Sequence, residues 1–72
     1  MMKGASLSEN LRINRARLNI SREKLSNLSG VSVSTIEKIE NGRQAELSTT
    51  FRTIDNLAHA LNIKPQELVG WE

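Results

Sequence analysis

The 72-residue sequence predicts an all-α fold built from five short helices. Apolar residues recur along it at the spacing of amphipathic helices, and no stretch alternates for long enough to predict a strand. Serine, threonine, asparagine and glycine stand where these stretches begin and end, as helix-capping residues do. A chain of this length has room for one domain, which we expect to span residues 7–69 between tails at residues 1–6 and 70–72.

The first helix is predicted to run from about Leu7 or Ser8 to Leu18. Asn19 should end it, because asparagine tolerates the left-handed backbone conformation that follows many helices. The residues at helical spacing on one face are Leu7, Leu11, Arg15 and Leu18. We expect this face to pack against the rest of the domain.

The second helix is expected to begin after Ser21, a favourable N-cap residue, and to end near Ser29. Leu25 and Leu28 are predicted to be its buried residues. Gly30 follows in the turn, where it can adopt a positive φ without a steric penalty.

Ser32 is expected to cap a third helix over about residues 33–41, with Gly42 directly after it. The apolar residues expected to close over the second helix are Val31, Ile36 and Ile39. Only three or four residues, including a glycine, separate helices 2 and 3, which is the sequence form of a helix-turn-helix. The alternative is a plain αα-hairpin, for which the turn is too short to allow antiparallel stacking.

A fourth helix is predicted over about residues 50–61, with Thr49 or Thr50 as its cap and Asn62 at its end. Its apolar stripe consists of Phe51, Ile54, Leu57, Ala58 and Leu61. Residues at this helical spacing predict a buried face.

Two shorter segments complete the predicted fold. Residues 43–49 form a polar connection whose only large apolar residue, Leu47, is expected to hold it to the core. Pro65 stands where proline is tolerated in the first turn of a short fifth helix, which should reach about Val69.

Composition argues against several kinds of site. The chain has no cysteine, so thiolate metal sites and disulfides are excluded, and its single histidine, His59, makes a zinc site not credible. No glycine-rich phosphate loop, paired carboxylates or nucleophile elbow is present, so we expect no catalysis, metal or cofactor. The first residues do not resemble a signal peptide, and no run approaches the roughly 20 apolar residues of a membrane span.

Positive charge is concentrated in the first half of the chain. Residues 1–43 contain eight Lys or Arg and four Glu, whereas residues 44–72 contain two Lys or Arg and four Asp or Glu. An acidic partner such as nucleic acid would therefore meet the first half. Ordinary solvated charge is the alternative at this point.

The stretch "LSENLRINRARLNISREKLSNLSGVSVSTIEKIENGR" closely resembles the helix-turn-helix domain of the Cro/repressor (Xre) family. The stretch "FRTIDNLAHALNIKPQELV" is similar to that family's fourth and fifth helices, so the resemblance covers residues 7–69. Its specificity comes from the "IENGR" ending and the "ALNIKPQEL" segment, which both fall in register. The resemblance implies a compact five-helix, lambda-repressor-like domain that binds double-stranded DNA sequence-specifically and regulates transcription.

Base contacts are implied for three residues of helix 3, whose first turn enters the major groove in this family. These residues are Val33, Ser34 and Lys38. Lys38 could donate to guanine O6 or N7, the Ser34 hydroxyl could donate or accept, and Val33 could pack on a thymine methyl. The alternatives are that Val33 belongs to the core stripe and that Lys38 contacts a phosphate.

Phosphate contacts are implied, by position, for Arg22, Ser32, Thr35, Arg43 and Gln44. A local hydrogen bond to the backbone is the alternative for Thr35. We interpret Lys24 and Arg52 as solvated charges. Glu37 could select cytosine, repel wrong alignments or simply be solvated, and we favour the last.

The resemblance also implies a salt bridge between Arg15 in helix 1 and Glu40 at the end of helix 3. Such a pair is weak support for stability, but it could fix the orientation of helix 3. The alternative is a pair of unrelated surface charges.

Leu68, Val69 and Trp71 are apolar and lie close together in sequence. Either the tail folds back so that Trp71 covers the Ile13 side of helix 1, or these residues form a twofold interface. We favour a homodimer, because helix-turn-helix dimers read half-sites about 34 Å apart.

The expected function is therefore a homodimeric repressor of a palindromic operator, located in bacterial or phage-infected cytoplasm at the nucleoid. No small-molecule ligand or membrane partner is expected, and a protein partner such as a toxin or antirepressor could control the repressor. The alternatives are an antitoxin-type regulator, whose main partner is a toxin protein, and a restriction–modification controller. A pure protein-interaction module is the remaining rival.

Overall fold

The structure of the protein is a computed structural model that describes residues 6–43 and 49–70. These residues form five α-helices and no strand, so the predicted all-α fold is confirmed. In chain order the helices are α1 (Leu7–Leu18), α2 (Arg22–Ser29), α3 (Val33–Glu40), α4 (Phe51–Ala60) and α5 (Pro65–Val69). Each observed bound lies within one residue of its predicted position. Leu47 and most of the two predicted tails lie outside the described residues, and the domain boundaries stay a prediction.

Side chains with a short hydroxyl begin the first four helices. Ser21, Ser32 and Thr50 each accept a hydrogen bond from the amide three residues ahead, as predicted for these caps. Ser6 caps α1 in the same way and exchanges hydrogen bonds with Glu9, so it completes a capping box. The sequence prediction placed the start of α1 correctly but did not identify Ser6.

Left-handed residues end the helices. Asn19 and Asn62 have φ values of 56° and 61° after α1 and α4, and Gly42 has 73° after α3. The amide of Gly42 donates to the carbonyl of Ile39 at 3.1 Å, and that of Arg43 donates to the carbonyl of Lys38 at 2.8 Å. This pair of hydrogen bonds is a Schellman motif, so the exit of the chain from α3 is closely defined.

One core joins all five helices. Its buried apolar residues are Leu7, Leu11, Leu25, Val31, Ile36, Ile39, Ile54, Leu57, Ala58, Leu61 and Leu68. Helix α1 packs against α3 and α5, α2 packs against α3 and α4, and α4 packs against α5. Full burial of one large aliphatic side chain contributes roughly 1.5–3 kcal/mol, so in a domain this small each core residue matters to stability.

Three predictions of buried apolar residues are wrong. Leu28 is 52% exposed, whereas Leu25, one turn earlier in α2, is fully buried. Phe51 is 72% exposed. It is the first residue of α4, at the end of the apolar stripe. Leu18, the last residue of α1, is also exposed.

The fifth helix belongs to the core of its own chain. Leu68 is fully buried, and its carbonyl accepts a hydrogen bond from Asn10 Nδ2 at 2.9 Å. The prediction that Leu68 contributes to a dimer interface is therefore wrong, because its side chain is already covered by α1 and α4. Val69 is half-buried against the core, and Trp71 lies outside the described residues.

Candidate nucleic-acid interface

The third helix has two faces of different chemistry. Ile36, Ile39 and Glu40 are buried against the domain. Ser34 and Lys38 are exposed on the opposite side. They lie four residues apart, so their side chains stand next to each other on the surface of the helix. A helix with one side fixed to the core and a polar side toward solvent is suited to insertion into a groove.

The residues predicted to contact bases do not share one environment. Val33 opens α3 and is half-buried, whereas Ser34 and Lys38 are exposed. Among residues 6–43 and 49–70, Lys38 takes part in no ion pair, so its ammonium group is available to an acceptor outside the chain. The exposed pair is therefore the better-placed part of the predicted set.

Two predicted phosphate ligands bond to each other at the start of α3. The Ser32 hydroxyl accepts from the Thr35 amide at 3.2 Å and donates to Thr35 Oγ1 at 3.0 Å. The Thr35 hydroxyl thus bonds to the Ser32 side chain, and among the described residues it makes no hydrogen bond to the backbone, which was the alternative considered for it. The hydroxyl proton of Ser32 is used within the chain, whereas that of Thr35 remains available to a phosphate oxygen.

The carboxylate of Glu40 is the centre of a buried ionic cluster. Its side chain is fully buried, and both of its oxygens accept hydrogen bonds from Arg15, at 2.8 Å from Nε and 3.2 Å from NH2. Arg22 Nε donates to Glu40 Oε1 at 2.8 Å. The Arg15–Glu40 pair that the resemblance implies is therefore present, and Arg22 is a second partner.

Charge in this cluster is balanced by short contacts. Burial on its own would raise the pKa of the Glu40 carboxyl, but the hydrogen bonds from Arg15 and Arg22 lower the pKa below its ordinary value. The same bond to Glu40 raises the pKa of Arg22. Glu40 is therefore ionised, and it attaches α1 and α2 to the last turn of α3.

The second side of the Arg22 guanidinium faces another acid. Arg22 NH1 lies 3.6 Å from Glu37 Oε2, at the edge of ion-pair range. Sequence reasoning missed both acidic partners of Arg22, because they are 15 and 18 residues away and on a different helix. Only the angle between α2 and α3 brings these side chains together.

A further contact holds the C-terminal end of α3. Ser8 in α1 donates its hydroxyl proton to the backbone carbonyl of Glu40 at 2.6 Å. This carbonyl is one of those left without a partner inside the helix. Serine is common on helix surfaces, so no pattern in the sequence could have identified this role for Ser8.

Two residues just beyond α3 were predicted to contact phosphate. Arg43 is exposed, and Gln44 lies outside the described residues. The backbone of Arg43 is held by the hydrogen bond from its amide to the Lys38 carbonyl, so Arg43 lies directly beyond the last turn of α3. It forms no ion pair within the part of the chain that the structure describes.

An open cleft of about 370 Å³ is lined by His59, Asn62, Ile63, Lys64 and Glu67. Within the described ranges, His, Cys, Asp and Glu do not group in a way that could hold a metal ion. None of the described helices has the length and apolar character that a bilayer crossing requires.

Comparison with known proteins gives consistent matches. A family model described as "Helix-turn-helix" matches residues 11–68. The restriction-modification controller protein C.AhdI from Aeromonas hydrophila is 34% identical, with a TM-score of 0.78 over 86% of this chain and 89% of its own. None of the curated proteins compared with the chain matches it.

Two structures of the P22 c2 repressor share the fold. One, in complex with a synthetic operator, is 24% identical, with a TM-score of 0.81 over 94% of this chain and 98% of its own. The other, the DNA-binding domain in solution, is 25% identical, with a TM-score of 0.79 over 96% of this chain and 87% of its own. The two matches cover 94% and 96% of this chain, so the likeness extends over nearly the whole fold.

Proposed function

The chain belongs to the helix-turn-helix family and is a DNA-binding transcriptional regulator, and on that premise we propose that it is a homodimeric repressor of a palindromic operator. In this proposal α3 enters the major groove, and double-stranded DNA is the main partner. The function is one of binding, without a catalytic step. It places the protein at the nucleoid of a bacterial or phage-infected cell.

The observation that carries the proposal is the exposed pair on α3. Ser34 and Lys38 lie opposite the buried face, and Lys38 has no acidic partner in the described chain. The opposite end of the same helix is held by Arg15, Arg22 and Ser8. A rigidly held helix with unpaired polar side chains on its outer face supports direct readout of base edges.

Phosphate contacts surround this face in the proposal. Thr35 and Arg43 present donors near the two ends of α3. Arg22 still has its NH2 group without a partner in the described chain, so it too could approach a phosphate. Ser32 would contribute less, because its hydroxyl already serves Thr35. Contacts of this kind set register on the duplex and give salt-dependent affinity.

The central test is selection of bound sequences from random double-stranded DNA, run together with a mass measurement in solution. We expect an enriched motif with twofold symmetry and a mass of two chains, since symmetric dimers bind symmetric sites. Failure to enrich any motif, at low salt and with folded protein, would contradict the proposed function. An enriched motif without symmetry, bound by a monomer, would contradict only the dimer.

Replacement of Lys38 by alanine should relax the preference at one base pair by about 1–3 kcal/mol, because its ammonium group no longer donates to guanine. The measurement is the same selection, scored position by position. Lys24→Ala is the matched control, since Lys24 is an exposed lysine of α2 and should leave every preference unchanged. An unchanged motif for Lys38→Ala would mean that Lys38 does not read a base.

Replacement of Arg43 by alanine should weaken binding to all sequences alike and reduce the slope of log K against log salt by about two for the dimer. The reason is the loss of one phosphate contact in each chain and of the counterion that it displaces. Titrations at four salt concentrations measure the slope. Lys64→Ala, which removes an exposed cation away from α3, should leave the slope as in the wild type. Equal salt slopes for the two variants would mean that Arg43 does not contact a phosphate.

A restriction–modification controller is the second candidate, because the likeness to C.AhdI is at 34% identity and extends over most of both chains. Such a controller would bind DNA through the same face, so the DNA selection does not separate it from a phage repressor. Gene neighbourhood does, since a controller is expected beside restriction and modification genes. Co-purification of a second chain would instead favour an antitoxin or the target of an antirepressor.

A further inference from the structure

We propose that Glu37 is a specificity-determining residue that accepts a hydrogen bond from the N4 amino group of a cytosine. The inference rests on the proposed function and adds to it a base contact made by an acid. It replaces the interpretation of Glu37 as simply solvated, because the structure gives this residue a defined partner in Arg22.

The position of Glu37 on α3 allows contact with DNA. Its side chain is 50% exposed, and it follows Ser34 by three residues, so the two lie side by side on the helix surface. Arg22 reaches it from α2, which places Glu37 on the flank of α3 between the exposed Ser34–Lys38 pair and the helix-turn-helix corner. A helix that inserts this outer face into a groove brings Glu37 to the same base edges.

A bare carboxylate would be repelled by the phosphates of DNA, and this repulsion needs a compensating charge. Arg22 NH1 lies 3.6 Å from Glu37 Oε2 and supplies it. The ion pair involves Oε2, so Oε1 of Glu37 remains an acceptor without a protein partner among the described residues. The pair thus presents an oriented acceptor with little net negative charge.

The chemistry of the base edges then selects among the four bases. Cytosine presents an amino donor with no acceptor beside it in the major groove, and carboxylates accept from that donor. Guanine and thymine present acceptors, which repel a carboxylate. Adenine presents its amino donor next to the N7 acceptor, so its edge is less favourable for an acid. Glu37 should therefore favour cytosine and act most strongly against guanine.

The test compares sequences selected by the wild-type protein and by Glu37→Ala, Glu37→Gln and Glu23→Ala. Glu23 is an exposed acid in the first turn of α2 with no ion-pair partner in the described chain, so Glu23→Ala removes the same charge from the same motif. We expect Glu37→Ala to lower the preference for cytosine at one position about tenfold. Glu37→Gln should shift that preference toward adenine, since an amide pairs with adenine N6 and N7. Glu23→Ala should strengthen binding slightly and leave the motif unchanged.

The outcomes separate this inference from the function on which it rests. No enriched motif for the wild type contradicts the proposed function itself. A wild-type motif that Glu37→Ala and Glu37→Gln both retain, with only a uniform change in affinity, overturns the role of Glu37. Circular dichroism of each variant establishes that it is folded, and the near-isosteric Glu37→Gln keeps the test valid if Glu37→Ala is unstable.

Discussion

Replacement of Arg15 by alanine is expected to lower the free energy of unfolding by about 2–3 kcal/mol at neutral pH, because it leaves the buried Glu40 carboxylate with one arginine partner instead of two. The cost is below the usual range for breaking a buried pair, since Arg22 still donates to Glu40 at 2.8 Å. Arg15 also donates to the carbonyl of Ile20 at 2.9 Å, so its removal also loosens the turn after α1. The measurement is urea denaturation followed by circular dichroism.

The loss caused by Arg15→Ala should shrink as the pH falls. The folded-state pKa of Glu40 lies below its ordinary value of 4.5, so Glu40 stabilises the fold fully above about pH 4.5. That contribution disappears as the pH falls through the lowered pKa, because the unfolded chain then binds the proton more readily than the folded one. The wild type therefore loses its advantage over the variant in acid.

Arg17→Ala is the control for the ionic cluster. Arg17 is an exposed arginine of α1 whose hydrogen bonds within residues 6–43 and 49–70 go only to Asn14 in the same helix. Its removal should change the free energy of unfolding by less than about 0.5 kcal/mol. A loss of equal size for both variants, or one for Arg15→Ala that does not depend on pH, would contradict the role assigned to the Arg15–Glu40 pair.

Leu68→Ala is expected to lower the free energy of unfolding by about 3 kcal/mol, because it removes a fully buried side chain and leaves a cavity. That loss is a large part of the total stability of a small domain. The fall should be the same at every protein concentration, since Leu68 is buried within its own chain. Urea denaturation at two concentrations tenfold apart measures both features.

The matched control for Leu68 is Leu28→Ala, the same substitution at a leucine that is 52% exposed. Leu28→Ala should lower the free energy of unfolding by well under half as much as Leu68→Ala, because folding removes less of the Leu28 side chain from contact with water. If the loss of unfolding free energy caused by Leu68→Ala vanishes at high protein concentration, Leu68 contributes to a subunit interface instead. Equal losses for the two leucines would contradict the difference in burial.

Helix positions followed from the sequence because caps depend on local chemistry. Ser21 and Ser32 accept hydrogen bonds from amides three residues ahead. Asn19 and Gly42 have positive φ, which asparagine and glycine tolerate better than other residues do. None of these interactions requires knowledge of the tertiary fold. Burial does require it. The spacing of Leu25 and Leu28 is the same as that of two buried residues, and it could not reveal that the neighbouring helices cover only Leu25 fully.

Residues of the candidate interface could be predicted where the helix-turn-helix resemblance assigns a role to a position in the sequence. Most contacts between side chains of different helices could not be predicted in this way. The exposure of Ser34 and Lys38 and the Arg15–Glu40 pair follow the pattern of the resemblance. The double engagement of Arg22 depends on the crossing of α2 and α3. A sequence period describes one helix at a time, so it contains no information about that crossing.

The side chains that hold the C-terminal end of α3 in place are different from the side chains that we propose to contact DNA bases. Ser8, Arg15 and the Schellman turn at Gly42 hold the last turn of the helix, and none of these contacts uses the side chain of Ser34 or of Lys38. Substitutions on the outer face can therefore accumulate without unfolding the domain. Related chains are free to diverge toward different operators, and an engineer could exchange the same residues to redirect the protein.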